Sequence, residues 1–176
     1  KGKTSTSALT AAVLGAGEPP VILGGNIGTP LIERVDELTP HHRVVLELSE
    51  LQLPTLSRGT DIAVYTHVTS DHLDRHGTLE AYRAVKRRLA ELLPAGGVLV
   101  RNDDDPVVAT YEAPAGTRLV RYTRQAPPVD GVGVQEGWVA AGPALAGDGD
   151  ARIMPVADIP LPGEHNVSNV LAAVAA

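Results

Sequence analysis

The run Lys1-Gly2-Lys3-Thr4-Ser5 constrains this chain more than any other. Gly-Lys-Ser/Thr is the ending of a phosphate-binding loop, which opens on a Gly further upstream and joins a strand to a helix. Here that first Gly and its strand would fall ahead of residue 1, so the expectation is a piece of something longer. A triphosphate needs several N–H donors converging on its oxygens, and a Gly-rich turn brings backbone that close. The following helix points its positive end at the phosphates. Lys3 would meet the terminal phosphates as a point charge, and the hydroxyl of Thr4, or of Ser5 beside it, would bind Mg²⁺. An ordinary chain end can carry the same tripeptide. The stretch Thr6 to Leu14, rich in Ala and closed by Gly15 and Gly17, reads as a helix with its C-cap and favours the loop.

Composition removes several function classes. The formal net charge is −6, which argues against a broad nucleic-acid surface. The basic run Lys86-Arg87-Arg88 is too short to reverse that. The chain has no Cys, which excludes disulfides, zinc–thiolate sites and a Cys nucleophile. No apolar run reaches the roughly 18 residues of a membrane span. A length of 176 residues suits one domain with its own core.

Apolar runs alternate with helical patterns through the first 125 residues. Pro20–Leu23, Val44–Leu48, Asp61–Tyr65, Gly97–Val100 and Arg118–Tyr122 read as strands. Helices are expected from Thr29-Pro30, over Thr78–Leu93 and near Pro106–Tyr111. This alternation predicts an α/β fold, a mostly parallel P-loop-type sheet flanked by helices on both faces. From Pro127 to Pro162, Gly, Pro and Asp punctuate β-like pieces at Val132–Val134 and Trp138-Val139. They predict a small appended antiparallel sheet. A last helix begins near Asn166.

Four places carry candidate chemistry. Glu47 ends an apolar strand, and ligands of such sheets bind outside the carboxyl ends of the strands. It reads as a Mg²⁺ ligand or as a solvated strand-end acid, with Ser49 directed the same way. Asp71-His72-Leu73-Asp74 follows another strand; it could hold a metal or a carboxylate substrate, or merely cap a helix. Lys86 falls within the stripe of Leu79, Tyr82, Leu89 and Leu93, at about 100° per residue. Arg87 and Arg88 are expected to turn to solvent. A lysine on that face needs a partner or a modification, or it snorkels. Asn166 and Asn169, at a helix start, could read an adenine edge or serve as caps.

Taken together, Gly2-Lys3-Thr4, Asp71-His72-Leu73-Asp74, the helix bearing Lys86, Asn102-Asp103-Asp104-Asp105 and Gly163-Glu164-His165-Asn166 resemble the central domain of the Mur ligases, in that family's order. Gly24-Gly25-Asn26-Ile27-Gly28 and Leu46-Glu47-Leu48-Ser49 look like its D-glutamate-adding branch. That branch commonly reads Ser-Ser-Phe-Gln where this chain has Ser49-Glu50-Leu51-Gln52, and Asn where His67 stands. The resemblance implies that residues 1–176 form a central ATP-binding domain without the flanking UDP-binding and C-terminal domains. It implies ATP on Gly2, Lys3, Thr4 and Ser5, with Asn166 and Asn169 near adenine. It implies two Mg²⁺ ions held by Thr4, Glu47, His72 and Lys86, the last as a carbamate. Lys3, Glu47, His72 and Lys86 would be the catalytic set. Asn26, Ser49 and His72 would meet the substrates, UDP-N-acetylmuramoyl-L-alanine and D-glutamate. A monomeric cytoplasmic enzyme of peptidoglycan synthesis and cell-wall biogenesis is implied, with no nucleic-acid or membrane partner.

Other readings remain open on the residues alone. Another Mur ligase or a folylpolyglutamate synthase-like ligase would share most of these motifs. A P-loop phosphotransferase or NTPase would need only the first five residues. A non-catalytic nucleotide-binding module would bind ATP without carboxylate-dependent turnover.

Overall fold

The computed structural model describes residues 1–17, 19–28, 30–69 and 78–176. Helix α1, Lys3–Gly15, leaves directly from Gly2. Strands β1 (Val21–Gly25) and β2 (Arg43–Glu47) pair in parallel, Val21 opposite Arg43 and Gly25 opposite Glu47. Between them a 3₁₀ turn occupies Leu31–Glu37, where the sequence predicts a full helix. The Thr29 cap expected for it lies outside the described residues.

The larger sheet has six strands in chain order. They are β3 (Ile62–Val64), β4 (Val98–Asn102), β5 (Arg118–Tyr122), β6 (Gly131–Gln135), β7 (Trp138–Ala141) and β8 (Arg152–Pro155). β3 to β6 run parallel; β7 and β8 return antiparallel. The antiparallel part is therefore continuous with the parallel sheet through β6. Its hairpin turns at Glu136-Gly137, both at positive φ (51 and 79), as a two-residue turn that matches strand twist requires.

Both faces of the parallel part are covered, as near-continuous apolar strands demand. Helix α2, Leu79–Glu91, begins at Thr78, whose side chain accepts the Ala81 N–H. On one face Leu99 packs with Ala90, Leu93, Tyr65 and Tyr111. On the other, Val100, Val120 and Tyr122 pack against Leu171 and Ala172 of the last long helix, Glu164–Ala175. A four-residue helix, Pro143–Ala146, precedes β8; in chain order these two helices are α3 and α4.

Two expectations change. The helix near Pro106–Tyr111 is a 3₁₀ turn of Val108–Thr110, because the Asp105 carboxylate takes the Val107 and Val108 N–H groups into a tight local turn. Arg88 does not face solvent. Its guanidinium donates to the Leu53 and Leu56 carbonyls at 3.2 and 2.9 Å, satisfying the turn at Leu53–Thr55. Arg87 does face solvent and pairs with Glu91.

Candidate active site

Gly2 caps α1 at φ 83, a left-handed conformation that glycine adopts without penalty. Space imposes a second condition, since a Cβ there would lie 2.6 Å from the Asn169 Oδ1. Thr6 donates its hydroxyl to the same oxygen at 3.2 Å. On the other side of the loop, Thr66 donates its hydroxyl to the Lys1 carbonyl at 2.7 Å. The turn at Lys1-Gly2 is thus gripped from α4 and from the segment that leaves β3. Thr4 and Ser5 are exposed in the first turn of α1, and Lys3 is half-buried.

Glu47 sits at the carboxyl end of β2 and is buried, 4% exposed. Its Oε1 accepts from Asn26 Nδ2 at 3.2 Å, and its carbonyl accepts the Asn26 N–H at 2.7 Å. Gly25 makes this approach possible, because a Cβ there would lie 2.3 Å from the Glu47 carbonyl oxygen. The other carboxylate oxygen, Oε2, is buried with no hydrogen-bond partner among the described residues. A buried half-satisfied carboxylate is costly unless a cation or donor meets it.

Lys86 projects from α2 toward β2 with its side chain 12% exposed. Its ammonium lies 3.4 Å from Glu50 and 5.3 Å from the Tyr82 ring centroid. The helix is pinned here, since the Tyr65 hydroxyl donates to the Lys86 carbonyl and accepts the Ala90 N–H. Burial pushes the Tyr65 hydroxyl well above the ordinary tyrosine range, so it stays a neutral donor. Lys86 is partnered and does not snorkel.

Lys3, Glu47, Glu50 and Lys86 all line one cavity of about 510 Å³ between α1, β2, β3 and α2. Three of the four catalytic candidates are thereby brought together; His72, with Asp71, Leu73 and Asp74, lies outside the described residues. Ser49 turns to Gln52, whose Oε1 accepts its N–H and hydroxyl at 2.9 and 3.0 Å. Asn169 and Asn166 bond to each other at 3.1 Å, and Asn166 also donates to the Pro162 carbonyl. Asn169 is buried beneath the loop.

Sequence reasoning gave no role to three residues that shape this site. Asn102, at the carboxyl end of β4, donates to the Thr66 carbonyl at 2.6 Å. Asp105 is 1% exposed and accepts the Val68 N–H and an N–H from the His67 ring. Thr66 carries that support to the loop. The Asn102–Asp105 run marked the place, but nothing in it names the backbone groups it meets.

The model of the Mur ligase middle domain matches residues 1–176. A protein of Symbiobacterium thermophilum named UDP-N-acetylmuramoylalanine--D-glutamate ligase is 41% identical over 177 residues, covering 99% of this chain and 38% of that protein. A protein of the same name from Acidobacterium capsulatum is 40% identical over 176 residues, with the same coverage. The chain thus spans 38% of the length of these relatives. Among solved structures, MurF from Acinetobacter baumannii superposes with a TM-score of 0.71 at 18% identity, covering 99% of this chain and 39% of that one. MurF from Thermotoga maritima in complex with ADP gives 0.64 at 19% identity, covering 99% and 42%.

Proposed function

This chain belongs to the Mur ligase middle-domain family, and we propose that it is the ATP-binding part of a ligase that adds D-glutamate to UDP-N-acetylmuramoyl-L-alanine. The observation that carries this reading is the convergence of Lys3, Glu47 and Lys86 on one cavity under the phosphate-loop helix. The relatives named for that activity supply the substrates. The whole enzyme is larger than this chain, and residues 1–176 are its central domain. Residues of β2 and β3, each of which has one edge unpaired among the described residues, line the cavity, which fits a further strand between them. Cytoplasmic peptidoglycan precursor synthesis, serving cell shape and division, is the proposed setting, with the protein a monomer.

In this reading the L-alanyl carboxylate attacks the terminal phosphate of ATP, giving an acyl phosphate and ADP. The D-glutamate amine then attacks the acyl carbon and phosphate leaves. Gly2, Lys3, Thr4 and Ser5 bind the triphosphate, with Lys3 on the group that transfers. Asn166 and Asn169 lie toward adenine. Asn26 and Ser49 lie toward the UDP-sugar substrate. The Glu47 oxygen that has no partner among the described residues suits a divalent cation, and Thr4 offers a hydroxyl at the loop. Two Mg²⁺ ions, shared among Thr4, Glu47, His72 and a carbamylated Lys86, would supply charge neutralisation when bound. Most of the catalytic effect then comes from positioning and fixed charge.

The deciding experiment measures ADP release by the full-length protein with UDP-N-acetylmuramoyl-L-alanine and each of D-glutamate, L-lysine, meso-diaminopimelate and L-alanine. Dependence on D-glutamate supports the reading. ADP release indifferent to the UDP-sugar acid would mean a phosphotransferase or NTPase instead.

A further inference from the structure

Asp105 is the most deeply buried charged side chain among the described residues, and no step of the proposed reaction uses it. A buried carboxylate is tolerated only when donors surround it. The two oxygens of Asp105 divide that work. Oδ1 accepts the Val107 and Val108 N–H groups at 2.9 and 2.8 Å, which builds the turn after β4. Oδ2 accepts the Val68 N–H at 3.1 Å and is met by the His67 ring Nδ1. One oxygen therefore serves its own turn, and the other holds the segment that leaves β3.

That segment touches the phosphate loop. Thr66 is fixed through its carbonyl by Asn102 and reaches the Lys1 carbonyl with its hydroxyl. Lys1 immediately precedes Gly2, whose left-handed conformation aims the start of α1. A Cβ at Gly2 would lie 2.6 Å from the Asn169 Oδ1, so the loop is also packed closely against Asn169 of α4. The position of residues 66–68 is thereby coupled to the backbone that leads into Lys3. We infer that Asp105 is a positioning residue for the phosphate site, acting through Val68 and Thr66 on the loop at Lys1-Gly2. The inference rests on the ATP-binding reading above.

Asp105→Asn separates the two functions of this carboxylate. The amide oxygen keeps the bonds to Val107 and Val108, while NH₂ replaces Oδ2 and confronts the Val68 N–H, donor against donor. His67 can adapt by changing tautomer; Val68 cannot. Thr66→Val removes only the hydroxyl facing Lys1. The test measures KM for ATP, for D-glutamate and for UDP-N-acetylmuramoyl-L-alanine in the full-length protein, for both variants and their combination. Each single variant should raise KM for ATP by about tenfold, the scale of one lost buried hydrogen bond. The other two KM values should stay within about twofold. The double variant should be no worse than the poorer single, because both act along one path. An unchanged KM for ATP in either variant overturns the inference, as do equal rises for all three substrates or effects that multiply in the double. Should Asp105→Asn not fold, Thr66→Val decides alone: a selective rise supports the path, and none removes it. Absence of any ATP dependence in the wild type removes the ligase reading as well, whereas normal ATP use with an indifferent Asp105→Asn removes only the positioning role.

Discussion

The Lys86 ammonium and the Glu50 carboxylate face each other at 3.4 Å, each side chain only 12% exposed. This pair joins α2 to the segment that follows β2. It bears on the proposed carbamate. A carbamate on Lys86 reverses its charge and turns attraction to Glu50 into repulsion, with Glu47 in the same cavity. A cation among the three would reconcile them. Carbamylation of Lys86 should therefore depend on Mg²⁺. Carbon-13 NMR of the full-length protein in labelled bicarbonate should show the carbamate signal with Mg²⁺ and little without it. Equal signals in both conditions would remove Glu50 from the account, and Glu50→Ser should weaken the Mg²⁺ dependence.

Glu47 presents a trade between stability and activity. Its Oε2 is buried without a partner among the described residues. Replacing it with the neutral isostere removes a desolvated charge. Glu47→Gln should melt at the same temperature as wild type or higher, yet turn over about 10²-fold more slowly if this carboxylate supports charge at the transferring phosphate. A stable Glu47→Gln enzyme with normal ADP release at the same Mg²⁺ concentration would show that the orphaned oxygen has no catalytic use.

Lys3 gives the most direct check on the loop. It lines the cavity with Glu47 and Lys86. Lys3→Ala in the full-length enzyme should lower turnover by roughly 10²-fold or more, the scale of one lost preorganised charge. Turnover near the wild-type value would mean that Lys1–Ser5 is not a phosphate loop.

The strands were legible because buried parallel strands are written as apolar runs; Arg118–Tyr122 is matched at both ends. β8 was not, since Arg152-Ile153-Met154-Pro155 is an edge strand of mixed character ending in Pro. Lys86 was separable from Arg87 by helical geometry, but Arg88 was not, because its carbonyl partners come from a turn at Leu53–Thr55. The place of Glu47 at the carboxyl end of β2 was legible from the apolar run before it, but its burial was not, because the solvated strand-end acid reads the same way. Asp105 was not legible as a support for the loop, because most of its partners are backbone N–H groups, which carry no sequence signature.

Tyr111 links the core to alkaline pH. Burial, with Asp105 nearby, pushes its hydroxyl from 10.0 up to about 12. The folded protein thus prefers neutral Tyr111, and the unfolded chain ionises first. The resulting stability is complete below pH 10 and is lost as pH rises toward about 12. Tyr111→Phe keeps the edge-on contact with Tyr65 at a 4.8 Å centroid distance and removes the ionisable group. Its melting temperature should fall less than that of wild type over this interval. Parallel curves for the two proteins would rule out Tyr111 as a source of alkaline sensitivity.

β2 pairs only with β1 and β3 only with β4, so each leaves one edge unpaired among the described residues. Val44, Leu46 and Ile62 are 43%, 38% and 42% exposed along these edges, which is unusual for strands of a parallel sheet. Residues of both strands line the same cavity. Parallel sheets are stable when their strands are paired on both sides and covered on both faces, so a strand seated here would join the two sheets into one. Amide hydrogen exchange tests this directly. In the isolated 176-residue chain, the unpaired amides of β2 and β3 should exchange within the fast class expected of open edges. In the full-length protein the same amides should be among the protected core. If they exchange equally fast in both, no strand occupies the gap, and the proposal that the two sheets are one in the complete enzyme is wrong.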